Sequence, residues 1–346
     1  MGLTKLEKYL ESRLIQDLGD ETGRSYYANY QQAKNYLSQD IFSEIKAIEP
    51  TLTDHSEKHI ENVLDNVWYL LTYDEVNDAK KHEVVKKLSC YDLYILCLSV
   101  LFHDVGNING REEHNKKVVS VYNTIRQSKS NFSSERALIL KATKAHCGTT
   151  NSGSRDTLKE IEKKDSLNGN PIQLLEITSI LRLADELAEG PQRTSDYLLN
   201  NLDNLPKDNE ELKIKFEKSK IYHKYSQITD IFIDRGNERI VLKYHIDIAS
   251  ETQESLRELL LYAYERILKS DLERKYTKFY SKYLSPFKKT EITFNFTNNG
   301  EPLDVPIETI TLFDECTIPG DKKVCTTDLT SQFAELNIDN VIKLLF

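Results

Sequence analysis

Apolar residues recur at helical spacing through the first two thirds of the chain. Residues 4–19 and 25–48 are amphipathic and charged, and Pro50 is expected to end the second segment. Asp54, with Glu57 three residues later, resembles a capping box and predicts the start of another helix. The apolar face of that helix carries Ile60, Val63, Leu64, Val67 and Leu71. The N-terminal region is therefore predicted to be helical.

The most apolar part of the chain follows and is expected to form the centre of the core. Three further helices are predicted at 89–102, 111–128 and 133–147. A loop rich in Ser, Thr, Asn and Gly is predicted over residues 148–170. Asn170 and Pro171 are suited to the N-cap and first position of an apolar helix that ends near Ala188.

The pattern changes after about residue 208. Residues 212–218 and 227–248 alternate like strands, and Arg235-Gly236-Asn237 predicts a turn inside the second segment. A long helix is predicted over 251–283 and a strand over 292–296. We therefore predict a mainly α protein with a smaller C-terminal α+β appendage. The predicted parts are N-terminal helices packing on the core (1–50), a helical domain (51–205), the appendage (206–300) and a segment of unassigned role (301–346).

Composition excludes several classes of protein. The 346 residues include 19 Tyr and 12 Phe, enough apolar material to exclude a disordered chain, and no apolar run is long enough for a membrane span. The net charge of −9 argues against a broad nucleic-acid-binding surface. Five cysteines form no C-x-x-C pair, and Cys90 and Cys97 are expected to be buried on one helix. With no apolar signal core near the N-terminus, a cytoplasmic location is expected.

Of the eight histidines, six lie in the predicted helical domain, and five of these, His55, His59, His103, His114 and His146, stand in order with two aspartates. His55 and His59 are four residues apart, so one helix presents both on the same side. His103-Asp104 closes the most apolar helix, where a polar pair is costly without a partner. Asp185 places a further charge in an apolar helix. A divalent metal would partner all of these groups; the alternative is a satisfied buried polar network.

The order His…His-Asp…Asp resembles the HD-domain superfamily of metal-dependent phosphohydrolases over about residues 50–190. The segment Thr53-Asp54-His55-Ser56-Glu57-Lys58-His59-Ile60-Glu61-Asn62-Val63 is similar to its first motif, and His103-Asp104-Val105-Gly106-Asn107 to its defining doublet. His114 and His146 match extra histidines of many members, and Asp185 matches the closing aspartate. The resemblance implies an HD-type helical bundle over residues 51–205.

The resemblance also implies roles for these residues. His59, His103, Asp104 and Asp185 would bind a first metal, and the catalytic Asp104 would bridge to a second metal on His114 and His146. Either of those two histidines has an alternative role as a helix cap or a substrate ligand. His55 would be the catalytic proton donor or an outer hydrogen-bonding residue. One or two divalent ions are implied, with manganese, iron, zinc, nickel and magnesium all open.

Four basic residues near the motifs are candidates for binding phosphate: Lys58, Arg111, Arg182 and Arg193. Arg111 or Lys58 would replace a lysine that many members carry where Asn107 stands here. Each of the four has an alternative role in a surface ion pair, and Arg182 could instead orient Asp185. Residues 182–193 further resemble HD proteins found with Hsp90-like ATPases.

Three functions remain open from the sequence. The first is a phosphohydrolase acting on a nucleotide or nucleotide-like phosphoester. The second is a di-iron oxygenase, because oxygenases of the inositol and phosphonate type within this fold use the same ligand order. The third is a nucleotide-sensing or scaffold protein that binds a protein partner through its appendage.

Overall fold

A computed structural model of the chain describes residues 2–48, 57–73, 78–110, 114–127, 129–194, 210–314 and 325–346. It begins with α1 (Lys5–Leu18), which a capping box between Thr4 and Glu7 opens. Helix α2 (Asp20–Tyr36) packs on α1, and a π-helical turn (Leu37–Ile41) joins α2 to α3 (Phe42–Ile48). The second predicted segment therefore begins five residues earlier than expected and is interrupted by the π-helical turn. Pro50 and Asp54 lie outside the described residues.

The next helices surround one apolar helix. They are α4 (Glu57–Leu71), the short α5 (Asp78–Lys81), α6 (Cys90–Phe102), α7 (His114–Arg126), α8 (Ser133–Ala145) and α9 (Leu174–Glu186). Every residue from Leu93 to Phe102 is buried, and α6 contacts α1, α2, α4, α8 and α9. The prediction that this segment is central to the core is confirmed. Cys90 and Cys97 are both buried on it, as expected.

The predicted start of the apolar helix at Asn170 is wrong. Strand β1 (Asp165–Leu167) pairs antiparallel with β2 (Asn170–Ile172), and α9 begins only at Leu174. Asn168 and Gly169 join the strands with φ of 50° and 86°. Asn-Gly with two positive φ values forms the tight turn typical of a β-hairpin, and this preference outweighs the helix-start signal of Asn170-Pro171.

The C-terminal part combines a sheet with long helices. Its elements are α10 (Glu210–Ile228), β3 (Thr229–Asp234), β4 (Arg239–Asp247), α11 (Gln253–Tyr280), β5 (Lys289–Asn298), β6 (Glu301–Pro302), β7 (Ile310–Phe313), α12 (Thr326–Gln332) and α13 (Ile338–Leu345). The predicted strand at 212–218 is wrong, because these residues belong to α10. Alternation over only seven residues is weak support for a strand, and the Lys and Glu residues between its apolar positions also favour helix.

Strands β3 and β4 form the expected hairpin, and β5 lies parallel to β4. The connection between these parallel strands contains α11. Strand β7 pairs antiparallel with β5, and α12 and α13 pack on α11. The prediction of a mainly α protein with a C-terminal α+β region is confirmed.

One apolar core links the helices to the sheet. Buried residues from Leu6 on α1 to Leu345 on α13 belong to a single cluster. Helix α11 contacts α9 directly, so it places side chains beside the end of α9. None of the helices in the described ranges has the length and apolar character needed to cross a bilayer. The division of the chain into four parts stays a prediction.

Candidate metal centre

The end of α6 places a histidine and an aspartate inside the protein. His103 is fully buried, and Asp104 is 7% exposed. The Nδ1 atom of His103 lies 2.8 Å from the carbonyl oxygen of Val100, one turn earlier on the helix. When Nδ1–H donates to this carbonyl, the Nε2 atom of the neutral ring presents its lone pair to the space beyond the helix end.

Side chains from three elements converge on that space. His59 Nε2, from α4, lies 3.3 Å from His103 Nε2. Asp185 Oδ1, from the last turn of α9, lies 3.2 Å from His59 Nε2 and 3.4 Å from His103 Nε2. Asp104 Oδ2 lies 3.8 Å and 3.4 Å from the same two nitrogen atoms. Four potential ligand atoms therefore surround one point.

The second oxygen of Asp104 faces another pair of histidines. Asp104 Oδ1 lies 3.1 Å from Nε2 of His114, at the start of α7, and 3.8 Å from Nε2 of His146, just after α8. The Nδ1 atom of His146 is 2.5 Å from the carbonyl oxygen of Thr143, which directs Nε2 toward the aspartate. Asp104 therefore stands between two groups of ligands, with one oxygen directed to each.

These separations fit a metal ion. Two ligand atoms that each lie about 2.1 Å from a tetrahedral ion are about 3.4 Å apart. The contacts among His59, His103, Asp104 and Asp185 range from 3.2 to 3.8 Å. Imidazole and carboxylate are also ligands that zinc, iron and manganese accept. The donor set and its spacing therefore suit a divalent cation.

The electrostatics of this group favour a positive charge at its centre. Burial lowers the pKa of His59 to about 4, and the nearby charge of Arg193 acts in the same direction, so this imidazole stays neutral and able to bind a metal. Burial also opposes ionisation of Asp185, but His103 and His59 outweigh it and hold the pKa of this carboxyl well below its usual range. Burial opposes a charge on His103 as well, but Asp104 and Asp185 outweigh it and raise the pKa of this imidazole well above its usual value. The carboxylates therefore stabilise a cation at this point, and a metal ion would take the place of that proton.

Backbone packing fixes the position of His114. Residues Val105–Asn109 form a 3₁₀ turn that contacts α7. A Cβ atom on Gly106 would lie 1.8 Å from the carbonyl oxygen of His114. Glycine at this position therefore allows the close approach that brings His114 beside Asp104.

A cavity of about 460 Å³ opens from Asp104, His114, His146 and Asp185 toward α11. It is lined by Asp104, Asn107, His114, His146, Cys147, Gly148, Thr149, Arg155, Arg182, Asp185, Glu186, Glu189, Arg193, Tyr222, Arg266, Lys269 and Glu273. The lining includes five Arg or Lys side chains. The wall away from the histidines is therefore strongly charged.

Ion pairs hold this wall together. Arg182 makes two 2.7 Å contacts with the carboxylate of Glu273 and donates to Thr157 Oγ1 at 2.7 Å. Arg266 Nη2 lies 3.1 Å from Glu186 Oε1, at the end of α9, and 2.9 Å from Glu189 Oε1, just after it. These contacts connect α11 to the helix that carries Asp185.

Among the basic residues of the wall, Arg193 interacts electrostatically with three of the candidate ligands. It is buried in the 3₁₀ turn Pro191–Arg193, with its Nη1 atom 3.4 Å from Glu189 Oε1. Its positive charge reaches His59, Asp185 and Asp104. A buried guanidinium here can orient an anionic ligand while its pKa stays raised by Tyr222 and the nearby carboxylates, which outweigh the effect of burial.

The predicted site residues divide into three groups. The structure brings together the six predicted ligands His59, His103, Asp104, His114, His146 and Asp185, and it places Arg182 and Arg193 in the cavity wall. Lys58 is exposed and does not line this cavity. His55 and Arg111 lie outside the described residues. The chemical roles assigned to all of these residues stay predictions.

Sequence reasoning missed several residues of the cavity. Cys147 lies 3.6 Å from His114 Nε2, and Glu186, Glu189, Arg266 and Lys269 line the charged wall. The position of Cys147 directly after His146 was one available signal. The spacing of Arg266, Ser270 and Glu273 was another, because residues four and seven apart share a helix face.

Comparison with known proteins gives a family match. A family model described as HD-CE matches residues 49–274, well over half of the chain. The match includes all six predicted ligands and continues through the part of α11 that carries Arg266 and Glu273. Searches of curated proteins and of solved structures found no match.

Proposed function

Because the chain belongs to the HD-CE family and buries a group of histidines and aspartates suited to a divalent ion, we propose that it is a metal-dependent phosphohydrolase. Its substrate would be a nucleotide or a nucleotide-like phosphoester. The observation that carries this proposal is the position of Asp104, whose two oxygens face two groups of ligands. The ordered resemblance of these residues to HD-domain phosphohydrolases also supports it.

His59, His103, Asp104 and Asp185 would hold one ion, and His114 and His146 would hold a second ion against Asp104. A bound ion of this kind lowers the pKa of a coordinated water to about 7 and stabilises charge on a phosphoryl oxygen. The protein contributes the buried surroundings and fixes the imidazoles, as the contacts from His103 to Val100 and from His146 to Thr143 illustrate.

The charged wall suits the phosphate part of such a substrate. Guanidinium groups bind phosphate through paired hydrogen bonds, and Arg193, which pairs with Glu189, also interacts electrostatically with the ligand aspartates. The cavity of about 460 Å³ is within the range of 300–1,000 Å³ typical of small-molecule sites. We propose that Arg193 orients a phosphate group, whereas Arg182 positions α9 through its bidentate pair with Glu273.

Metal-loaded protein incubated with a panel of mono-, tri- and cyclic nucleotides tests this function. Wild type is expected to release a chromatographically defined product when it is loaded with manganese, alone or together with zinc, and Asp104→Ala is expected to fall to background. Asp20→Ala is the matched control, because Asp20 forms an exposed ion pair with Arg24 on α2. This variant should retain wild-type turnover.

Two results would contradict the proposal. Equal turnover by wild type and Asp104→Ala would assign the activity to another site or to a contaminant. A metal-loaded wild type that hydrolyses nothing on the panel, but consumes oxygen with a polyol or a phosphonate when it carries iron, would favour the oxygenase.

A further inference from the structure

Cys147 differs from the other described cysteines on the helical side of the protein. Cys90 and Cys97 are buried in the apolar core, whereas Cys147 is half-buried and lines the cavity. It follows His146 directly, where the chain bends after α8. The ligand atoms of His114, His146 and Cys147 all lie within 4.8 Å of one another.

The distances suit a shared ion. Cys147 Sγ lies 3.6 Å from His114 Nε2. In a tetrahedral site with metal–sulfur and metal–nitrogen distances of about 2.3 and 2.1 Å, these two ligand atoms are about 3.6 Å apart. Asp104 Oδ1 lies 3.1 Å from His114 Nε2 and 3.8 Å from His146 Nε2, so it is a potential fourth donor beside these three.

We propose that Cys147 is a sulfur ligand of the second ion, alongside His114, His146 and Asp104. This inference rests on the proposed metal centre and adds a ligand to it. On binding, the thiol releases its proton to solvent and the thiolate takes the coordination position. The two positions then differ in chemistry, because the first has only nitrogen and oxygen donors.

The sulfur ligand determines which metal the second position prefers. Thiolate and imidazole together favour zinc, iron(II) or cobalt(II), whereas magnesium and manganese prefer oxygen donors. The first position, with two carboxylates and two imidazoles, accepts a wider range of ions. The second position is therefore the more selective of the two.

Cobalt(II) titration of the chelator-treated protein under anaerobic conditions tests the inference spectroscopically. Wild type is expected to bind two equivalents and to develop a near-ultraviolet sulfur-to-cobalt charge-transfer band. Cys147→Ser is expected to lose this band while the visible cobalt bands of the first position remain. Cys325→Ser is the matched control, because Cys325 is exposed and does not line the cavity.

A second readout uses metal content. After incubation with equal concentrations of zinc and manganese, elemental analysis should find at least one zinc per wild-type chain. Cys147→Ser should bind zinc more weakly at one position, so a competing chelator should remove one zinc per chain from this variant at a lower concentration than from wild type. Far-ultraviolet circular dichroism of both serine variants establishes that they are folded.

The outcomes separate this inference from the proposed function. Two bound cobalt ions without a sulfur band in wild type, or a band that survives in Cys147→Ser, would show that Cys147 only hydrogen-bonds to His114. That result overturns the inference and leaves the metal centre in place. Folded wild type that binds no cobalt would overturn both the sulfur ligand and the metal-dependent function.

Discussion

Replacing Gly106 with alanine should disturb the second metal position more than the first. Gly106 lies in the 3₁₀ turn after Asp104 and faces the backbone of His114. An added Cβ atom would meet the carbonyl oxygen of His114 at 1.8 Å and its carbonyl carbon at 2.7 Å. Both contacts involve backbone atoms, so rotation of a side chain cannot relieve them.

The size of the required movement follows from these distances. Ordinary contacts of a Cβ atom begin at about 3.4 Å, so the two backbones must separate by more than 1 Å. Functional side chains need to be held within about 0.5 Å of their working positions. Overpacking of this kind costs about 1–3 kcal/mol of unfolding free energy. His114 should therefore lose its place beside Asp104 in a chain that is less stable but folded.

Metal content and stability together test this prediction. Gly106→Ala is expected to bind one ion per chain where wild type binds two, with a lower midpoint in urea unfolding. Gly153→Ala is the control, because Gly153 has a φ of +84° and open space around its Cα atom. Alanine at this position should lower the unfolding free energy by about 1–2 kcal/mol through backbone strain alone, and the variant should still bind two ions per chain. Two bound ions per chain in Gly106→Ala would refute the argument that glycine at this position is needed to place His114.

Three further predictions concern stability. Arg182→Leu should lower the unfolding free energy by about 3 kcal/mol, measured in urea, because it leaves the mostly buried carboxylate of Glu273 without its guanidinium partner. Glu7→Gln should lower the unfolding free energy by a similar amount in the same assay, because buried Lys34 loses its 2.6 Å contact with a carboxylate. This variant should leave the metal content unchanged. Removing metal with a chelator should lower the melting temperature, and adding metal back should restore it. Free metal at about 1,000 times its Kd would add about 4 kcal/mol to the unfolding free energy. An unchanged melting temperature would contradict binding to the folded state.

The candidate ligands were predictable because their chemistry conflicts with their surroundings. His103 and Asp104 end an apolar helix, and Asp185 lies in another, so each needed a polar partner that its own helix does not supply. The order of six such residues then indicated a shared centre, and the structure places them together. The resemblance also implied that Asp104 stands between two ligand groups, but the packing of α7 against the turn at Gly106, which places His114 beside Asp104, was not predictable from the sequence pattern.

The cavity wall was harder to predict because it depends on tertiary packing. Arg266 and Glu273 lie on α11, in the predicted appendage, and they reach the centre only because α11 packs on α9. The two wrong assignments have local causes. The Asn168-Gly169 turn outweighed the helix-start signal at Asn170, and alternation over 212–218 was too short to distinguish a strand from a helix.

Anomalous diffraction from crystals of the protein loaded with zinc or iron would test the central claim most directly. Two peaks are predicted on opposite sides of the Asp104 carboxylate. One should lie among His59, His103 and Asp185, and the other beside His114 and His146. A crystal of metal-loaded protein with no peak within bonding distance of Asp104 would contradict the account.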